Sequence, residues 1–387
     1  MGHVVRTAIR ALSILTGPAL LCTGAATSAK APGDLIPDRY ICVFKPGPIS
    51  PGLEARTILP RVGGQLRHVY THVLHGFSAS MSATAVSNLL TKNPLLDYCE
   101  QDRVVSLPEP TGSAVITARP GGGGGGGSTQ STPWGVSRVG GPGNGVGKFA
   151  WVIDSGIDLT HPDLTVDVAD SKSFLASDPS ANDANGHGTH VAGIIAAKNN
   201  NIGVVGVAAG ATVVSVRVLD SSGNGDDSGV IAGIDYAVAQ AQSLGHQHDA
   251  INLSLITASM ASMDAAVAAA GAAGFYVTIG AGNYSDNAGN YSPAEADGAN
   301  VYTVSATDSK DTFARYSNYG NPPIDYAEPG SSILSTYRGG TYATLSGTSM
   351  AAPHLAGILL LNNGVVHTNG KTALRDPDNN PDLIGIR

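Results

Sequence analysis

Three short stretches of this 387-residue chain carry the side chains that can activate a serine for acyl transfer. They supply an aspartate, a histidine and a serine in that chain order, at Asp154, His187 and Ser349. A serine hydroxyl is a poor nucleophile near neutral pH, so a neutral imidazole must take its proton. A carboxylate behind the imidazole orients the ring and stabilises the imidazolium that forms. We therefore predict that these three residues form a catalytic triad.

The local setting of each residue supports this prediction. Asp154 ends an apolar run, His187 opens a helical pattern between two glycines, and Ser349 follows a Gly-Thr turn at the start of an apolar helix. The backbone amide of Ser349 and the helix N-terminus would then face a developing oxyanion. Asn283, after Gly280 and another apolar run, is the candidate second oxyanion donor. Each residue alone could be a cap or turn residue, but the coincidence of all four favours catalysis.

Strands and helices alternate along the chain beyond about residue 130. Five apolar runs are short enough for buried parallel strands, at 150–153, 213–218, 250–253, 275–279 and 301–304. Helical patterns fill the intervals, at 187–197, 229–241, 263–272 and 350–361. We predict a doubly wound α/β domain with a mainly parallel sheet, preceded by a small α/β domain. Ligand sites in such sheets lie at the carboxyl ends of the strands, where Asp154 and Asn283 are expected.

The chain divides into four predicted segments. Residues 1–29 have the basic, apolar and small-residue parts of a secretory signal, which predicts a secreted protein without a stable membrane anchor. Residues 30–107 form the small α/β domain, here called the leader. Residues 108–128 are a Pro/Gly linker with seven consecutive glycines, and residues 129–387 form the main domain, here called the body. Exposed glycine-rich backbone of this kind is where proteases cut.

Charge and cysteines change at the same boundary. Eleven basic and 7 acidic residues precede Thr129, whereas 11 basic and 23 acidic residues make up the rest. The two parts would attract one another on docking, although a simple drift of surface composition remains open. The cysteines, Cys22, Cys42 and Cys99, all precede Thr129. Cys42 and Cys99 are expected on neighbouring strands, as two buried thiols in preference to a cross-link.

From Thr129 to about Leu361 the chain resembles the secreted subtilisin- and proteinase K-type serine proteases of the subtilase family. The likeness lies in the three triad stretches and in the segments 290–294, 317–320 and 329–336. Residues 38–106 resemble the inhibitory propeptide of these enzymes, including the Gly76-Phe77-Ser78-Ala79 step and the closing acidic strand. The resemblance implies an endopeptidase of broad specificity that works through an acyl-enzyme and removes its own propeptide. That removal would be a cut within the glycine run, or a first cut near Leu107 or Pro108 followed by trimming.

The partners implied are polypeptide substrates and the chain's own leader, which would serve as a transient inhibitor and folding aid. We expect a monomer with no nucleic-acid partner. His190 and His354 lie near the triad in sequence, and we expect structural roles for both.

The resemblance also implies structural Ca²⁺. Its ligands would be side-chain oxygens of three residues, Gln130, Asp163 and Asn200, and carbonyls of three more, Lys198, Ile202 and Val204. Six oxygens suit a hard cation, while a plain Asn-rich turn is the alternative. A second site would use Asp325 with carbonyls near residues 299 and 301. Bound metal would offset the absence of disulfides in the body.

The substrate-binding residues implied by the resemblance are Ser222, Gly223, Asn224, Gly225, Asp227, Ser254, Leu255, Ile256 and Gly280. Residues 222–225 match an edge strand that pairs with substrate. Asp227 stands where relatives often carry an aromatic side chain over a distal subsite, which predicts weaker preference for apolar side chains there. Ile256 departs from the family's pattern and is expected to narrow the primary pocket.

Two alternatives remain at this point. An aspartic protease is conceivable because Asp-Ser-Gly occurs at 154–156 and again at 227–229. The other alternative is a binding protein built on a catalytically weak or inactive scaffold. Ile256 and the short C-terminal region are the features that would be compatible with low activity.

Overall fold

The computed structural model describes residues 31–108, 115–117 and 130–387, and residues 31–387 belong to one compact unit. The predicted signal segment and the run of seven glycines lie outside the described residues. Within the described ranges, none of the helices combines the length and apolar character needed to cross a bilayer.

The leader is an antiparallel sheet with two helices packed on it. Its elements are β1 (Leu35–Phe44), α1 (Pro51–Ile58), β2 (Gln65–Tyr70), β3 (Gly76–Ser80), α2 (Ala83–Lys92) and β4 (Leu96–Ser106). The strand order is β4-β1-β3-β2. Ser82 caps α2 because its hydroxyl accepts a hydrogen bond from the backbone N–H of Ala85. The leader therefore contains both strands and helices.

Cys42 and Cys99 form a disulfide, so the expectation of two free thiols is wrong. The two residues lie on β1 and β4, as expected, and face each other directly in the antiparallel register. Directly opposed residues bring their Cβ atoms within the reach of a disulfide. The bond closes a loop with a sequence separation of 57 residues and cross-links the strand that leads to the body.

The body is built around one large sheet. Its helices are α3 (Trp134–Arg138), α4 (His187–Ala196), α5 (Asp227–Ser243), α6 (Ala261–Ala272) and α7 (Thr348–Leu361). Between the leader and α3 lies β5 (Val115–Thr117), and the strands up to α5 are β6 (Gly143–Asn144), β7 (Phe149–Asp154), β8 (Thr165–Val166), β9 (Lys172–Ser173), β10 (Ala208–Ala209), β11 (Thr212–Arg217) and β12 (Asn224–Asp226). The later strands are β13 (Ala250–Leu253), β14 (Thr257–Ala258), β15 (Tyr276–Gly280), β16 (Tyr291–Ser292), β17 (Val301–Thr307), β18 (Ile324–Pro329), β19 (Ile333–Tyr337), β20 (Thr341–Leu345), β21 (His367–Thr372) and β22 (Leu383–Ile386).

The large sheet has the order β21-β22-β18-β17-β15-β13-β7-β11-β8, and β9 also pairs with β11. The strands from β18 to β8 are parallel, while β21 pairs with β22 antiparallel. Side chains of β7 alternate between two cores: Trp151 and Ile153 pack with residues of α5 and α6, and Ala150 and Val152 with residues of α4 and α7. Helices thus cover both faces, which confirms the doubly wound α/β prediction.

Within the predicted linker, the described residues 115–117 form a short strand. Residues 115–117 form β5, which pairs antiparallel with β20. Three consecutive β-forming residues are a weak signal for a strand when Pro- and Gly-rich sequence lies on either side of them. The sequence therefore did not predict β5.

Candidate active site

Asp154 and His187 form a close pair at the carboxyl end of β7. The Nδ1 atom of His187 lies 2.9 Å from both carboxylate oxygens of Asp154. Asp154 is fully buried, whereas the His187 side chain is 12% exposed. A buried carboxylate on Nδ1 fixes the imidazole tautomer that leaves Nε2 available as a base. This is the arrangement expected of the acid and base of a triad.

The turn before His187 is shaped by a glycine and an aspartate. Gly186 has φ +116°, a conformation that favours glycine, and a Cβ there would overlap the Tyr337 ring. The carboxylate of Asp183 accepts hydrogen bonds from the backbone N–H groups of Asn185, Gly186 and Thr189 at 2.8–3.0 Å. Asp183 therefore positions His187, although no motif singled it out in the sequence.

Ser349 lies in the first turn of α7, where Gly347 precedes the helix. The Ser254 hydroxyl donates a hydrogen bond of 3.1 Å to the Ser349 carbonyl. A Cβ on Gly280 would lie 3.3 Å from the Ser349 backbone nitrogen, so β15 ends directly against the Ser349 backbone. Because α7 also packs against α4, whose first residue is His187, the fold brings the three predicted triad residues to one edge of the sheet.

Asn283 also lies at this edge. Its Oδ1 accepts hydrogen bonds from the backbone N–H of Thr348 at 2.9 Å and from the Thr348 hydroxyl at 3.1 Å. A Cβ on Gly347 would lie 3.0 Å from Asn283 Nδ2, which places the amide group beside the residues that lead into Ser349. With its oxygen engaged by Thr348, Asn283 presents its amide nitrogen as a donor.

His190 and His354 are fully buried and bond to backbone carbonyls. Nε2 of His190 lies within 3.1 Å of the carbonyls of Ile333 and Ala343, and Nδ1 of His354 lies 2.8 Å from the Met350 carbonyl. Burial lowers the pKa of His190 to about 3 and that of His354 to about 4. Both are neutral structural residues near pH 7, as their positions predicted.

The end of the leader occupies a cleft beside these residues. Strand β4 pairs antiparallel with β12, so that Ser106 faces Asn224 and Val105 faces Gly225. On its other side, Ser106 exchanges two backbone hydrogen bonds with Ile256, at 3.0 and 2.9 Å. The backbone N–H of Leu107 then donates to the Gly223 carbonyl at 2.9 Å. The body thus holds an extended chain by strand addition on both edges, through several residues of the predicted substrate-binding set.

Leader carboxylates bind the N-termini of two body helices. Asp102 accepts hydrogen bonds from the Ser228 backbone N–H at 3.0 Å and the Ser228 hydroxyl at 2.7 Å, at the start of α5. Glu100 accepts from the N–H groups of Ala261 and Ser262, at the start of α6, at 3.2 and 2.9 Å. Carboxylates are favourable at helix N-termini because they meet unpaired N–H groups and the positive end of the dipole.

A body carboxylate holds the leader in return. Oδ1 of Asp235 accepts hydrogen bonds from three consecutive leader N–H groups, of Thr71, His72 and Val73, at 2.6–3.0 Å. Two leader arginines also approach Asp226 of the body, with Arg39 at 2.5 Å and Arg67 at 3.6 Å. These basic leader residues face an acidic body residue, in line with the charge division of the sequence.

Asp227 is fully buried at the start of α5 with the leader in place. Among the described residues, none gives a hydrogen bond to either carboxylate oxygen of Asp227. Burial, together with the neighbouring carboxylates of Asp102 and Asp226, raises the pKa of Asp227 well above its ordinary value. The sequence placed Asp227 beside a distal subsite but did not predict this burial, which depends on residues more than 120 positions away in the chain.

The predicted calcium ligands converge around the side-chain amide of Gln130. Its Nε2 lies 2.6 Å from the Lys198 carbonyl, 3.2 Å from that of Ile202 and 3.0 Å from that of Val204, and 3.4 Å from Asn200 Oδ1. An amide has two N–H hydrogens and cannot satisfy four acceptors. Turning the amide round would instead add a further oxygen to a cage suited to a cation.

Asp163 is joined to this cage through Asn200 and Val204. Its carboxylate accepts hydrogen bonds from Asn200 Nδ2 at 3.0 Å and from the Val204 N–H at 3.0 Å. Burial raises the pKa of Asp163 to about 6, which a nearby cation would oppose. The donor set holds a single carboxylate, and the described part of the chain shows no grouping of three or more His, Cys, Asp or Glu side chains suited to a metal.

Asp325, the residue predicted for a second cation site, lies on β18. Its carboxylate accepts a hydrogen bond of 2.9 Å from the backbone N–H of Thr303. Burial raises its pKa to about 6, with a further contribution from Asp297.

Comparison with known proteins shows the class to which this fold and site belong. Residues 150–366 match the model of the subtilase family. The chain is 36% identical over 358 residues to alkaline serine exoprotease A of Vibrio alginolyticus, covering 87% of this chain and 62% of the Vibrio protein. It is 35% identical over 352 residues to the subtilisin-like serine protease AsES of Sarocladium strictum, covering 88% and 83% of the two chains. A crystal structure of a cold adapted subtilisin-like serine proteinase matches with a TM-score of 0.55 and 33% identity, over 65% of this chain and 96% of that one.

The chain belongs to the subtilase family, whose matched relatives are named as serine proteases. Membership of the subtilase family rules out the alternative that the protein is an aspartic protease. The second Asp-Ser-Gly sequence, at 227–229, is the start of α5. The chain spans less than two thirds of the length of the Vibrio relative.

Proposed function

We propose that this protein is a serine endopeptidase that hydrolyses polypeptides through Asp154, His187 and Ser349. The observation that carries the proposal is the buried Asp154 carboxylate held 2.9 Å from Nδ1 of His187, at the sheet edge where α7 presents Ser349. In the first step His187 Nε2 takes the hydroxyl proton as Ser349 Oγ attacks the peptide carbonyl carbon. The C–N bond then breaks and the same proton goes to the leaving amine. Water hydrolyses the resulting ester by the reverse sequence.

The oxyanion formed in each step needs hydrogen-bond donors already in place. The backbone N–H of Ser349 at the α7 N-terminus is one donor. Nδ2 of Asn283 is the second, because Thr348 engages Asn283 Oδ1 and so fixes which end of the amide faces the site.

The leader acts as a transient inhibitor and folding aid of the body. Its strand β4 fills the cleft through pairing with β12 and Ile256, so no other polypeptide can bind there while it remains. Glu100, Asp102 and Asp235 provide contacts that span α5 and α6 and order these helices while the body folds. Self-removal of the leader, followed by its dissociation, would open the cleft.

Structural Ca²⁺ is part of this proposal. Gln130, Asp163 and Asn200 would hold it with the carbonyls of Lys198, Ile202 and Val204, and its contribution would be to tie the segment that follows the linker to the loop after α4. Asp325 remains the candidate for a second site. We also propose that the protein is secreted and monomeric, and that Asp227, once the leader has left, weakens the preference for apolar side chains at the distal subsite.

Covalent labelling with phenylmethylsulfonyl fluoride tests the catalytic proposal. We expect stoichiometric sulfonylation of the processed protein, mapped to Ser349 by peptide mass analysis, and parallel loss of casein hydrolysis. Ser243→Ala, at an exposed serine on α5, should be labelled normally, whereas His187→Ala should not be labelled. Labelling elsewhere, or casein hydrolysis that survives complete labelling, would overturn the role of Ser349. A processed protein that neither reacts with the reagent nor cleaves casein would favour a binding scaffold.

A further inference from the structure

Strand β4 runs toward Ser349 in a register that its backbone hydrogen bonds define. Ser106 pairs with Ile256, and in an antiparallel pair each step forward on one strand is a step back on the other. Continued by two residues, this register places Pro108 opposite Ser254, whose hydroxyl bonds the Ser349 carbonyl at 3.1 Å. Pro108 is buried. The register therefore leads Pro108 to the part of the cleft beside Ser254 and Ser349.

The space beside this position is narrowed by Ile256. Strands β13 and β15 are neighbours in the sheet, so the segments that follow them, 254–256 and 281–283, also run side by side. The Ile256 side chain is fully buried, and its Cδ1 lies 2.6 Å from where a Cβ on Gly282 would stand. Ile256 thus spans the gap between the two segments. Its β-branched side chain has little rotational freedom with which to move aside.

We propose that Ile256 closes the subsite for the residue on the acyl side of the cleaved bond, so that the enzyme cuts after small residues and proline. Its first cut in its own chain is then the bond after Pro108. This inference rests on the proposed proteolytic function and names the substrate class of that same site. The Ser349 Oγ to Pro108 carbonyl-carbon bond forms, the C–N bond breaks, and the proton from Oγ passes through His187 to the leaving nitrogen.

Proline is compatible with this position because the neighbouring residues supply the backbone bonds. Proline has no N–H and donates nothing to the strand beside it. The ladder is carried by Ser106, by the Leu107 bond to Gly223 and by the pairing with Asn224 and Gly225. The compact ring also needs less space than an aromatic or long side chain beside Ile256.

A peptide series tests the subsite directly. Substrates with the leader's own residues, Val-Val-Ser-Leu-X, carry a fluorogenic amine after X, where X is Ala, Pro, Phe or Lys. We expect wild-type kcat/KM for Ala and Pro to exceed that for Phe by about tenfold or more, since pocket contacts of this size discriminate by such factors. Ile256→Gly should raise the ratio of kcat/KM for Phe to kcat/KM for Ala by about tenfold. Ile256→Val should give a ratio between those of wild type and Ile256→Gly. Circular dichroism and Tm confirm that each variant is folded.

The results separate this inference from the function on which it rests. A wild-type preference for Phe, or a Phe/Ala ratio that Ile256→Gly leaves unchanged, overturns the role of Ile256 while the protease stands. No cleavage of any peptide or of casein overturns the proposed function itself. Mass analysis of the earliest processed species should give a leader fragment that ends at Pro108, and an initial cut elsewhere would refute the register.

Discussion

Asn283 and Thr348 are joined by two hydrogen bonds, since Asn283 Oδ1 accepts from both the backbone N–H and the hydroxyl of Thr348. Thr348 directly precedes Ser349, and its hydroxyl also accepts a hydrogen bond of 3.0 Å from the Gly282 N–H. The loop after β15 and the start of α7 are therefore held as one unit. This unit sets the direction of the Asn283 amide and the position of the Ser349 backbone together.

Replacing Asn283 by leucine should lower kcat by about 10²–10³-fold with little change in KM, a magnitude known for the corresponding donor in subtilisin. The donor acts on the oxyanion, which exists only after attack, so substrate binding is largely preserved. Steady-state kinetics on a peptide substrate measures both constants. Thr348→Val serves as a comparison, because it removes one bond that orients the amide and should cost less. A rise in KM at constant kcat would contradict the role of Asn283.

Leader binding should weaken as pH rises above about 4. Burial and Asp226 raise the pKa of Asp102 to about 6, and the pKa of Asp227 lies well above its ordinary value. The docked state therefore holds protons that the separated parts release. The complex between leader and body is most stable below the ordinary carboxyl pKa of about 4, where these groups are protonated in both the docked and the separated state. The contribution of Asp102 to this stability is lost as the pH rises from about 4 to about 6. The contribution of Asp227 is lost over a range that extends to higher pH.

Several charged groups surround Asp227 and set this dependence. From the leader they are Glu100, Asp102 and Arg103, with Arg39 and Arg67 farther along the interface. Burial raises the pKa of Asp226, but the two arginines outweigh it and hold that pKa below its ordinary value, outside this pH window. On α6, burial is the main cause that raises the pKa of Asp264 to about 7, and Glu100 of the leader adds to this rise.

The measurement is the rate at which activity appears after dilution of processed enzyme with its leader still bound, between pH 4.5 and 8. Rates are normalised to fully matured enzyme at each pH. Asp227→Asn should slow leader release at pH 8 and flatten the pH profile. Asp235→Asn should speed release at every pH, because Asp235 accepts three leader N–H bonds. If Asp227→Asn leaves the dependence of the leader-release rate on pH unchanged, the Asp227 carboxylate is not the cause of that dependence.

Chelation should lower the Tm of the body. A cation that binds only the folded state stabilises it by about 2.7 kcal/mol at one hundred times its Kd. We expect EDTA to lower the Tm and added Ca²⁺ to restore it, as measured by differential scanning calorimetry. Gln130→Ala should show a smaller shift, whereas Gln247→Ala, at an exposed glutamine, should behave as wild type. Equal Tm values with EDTA and with Ca²⁺ would rule out the site.

The disulfide between Cys42 and Cys99 should stabilise the leader by about 2–4 kcal/mol, the usual range for a loop of this length. In an Ser349→Ala background, which keeps the leader attached, Cys42→Ala with Cys99→Ala should lower the urea midpoint of the leader's unfolding. Ser87→Ala on α2 is the control. Non-reducing peptide maps should show the two cysteine peptides linked, and free thiols at both positions would contradict the structure.

Most of the sheet was predictable because buried parallel strands appear in the sequence as short apolar runs. The runs at 213–218 and 275–279 differ from β11 and β15 by one residue at each end, and 250–253 coincides with β13. The pairing of Asp154 with His187 could be predicted from the two residue types and from the sequence around each of them. Contacts between distant segments could not be predicted in this way. Asp183, Asp235 and Glu100 bind residues that no local sequence pattern connects with them.

The cysteines and Asp227 show a different limit. Strand adjacency of Cys42 and Cys99 followed from the leader's pattern, but whether two neighbouring thiols are joined depends on register and redox conditions. The environment of Asp227 depends on a leader strand that covers it, so its burial is a property of the docked state. Local sequence cannot report such a property.

A single substitution shows whether Ser349 performs the chemistry. Wild type, Ser349→Ala and Ser243→Ala are expressed as the full chain and compared by intact mass and by casein hydrolysis. We expect wild type and Ser243→Ala to lose the leader and cleave casein, whereas Ser349→Ala stays full length and inactive. A Ser349→Ala protein that still sheds its leader and cleaves casein would contradict the proposed role of Ser349.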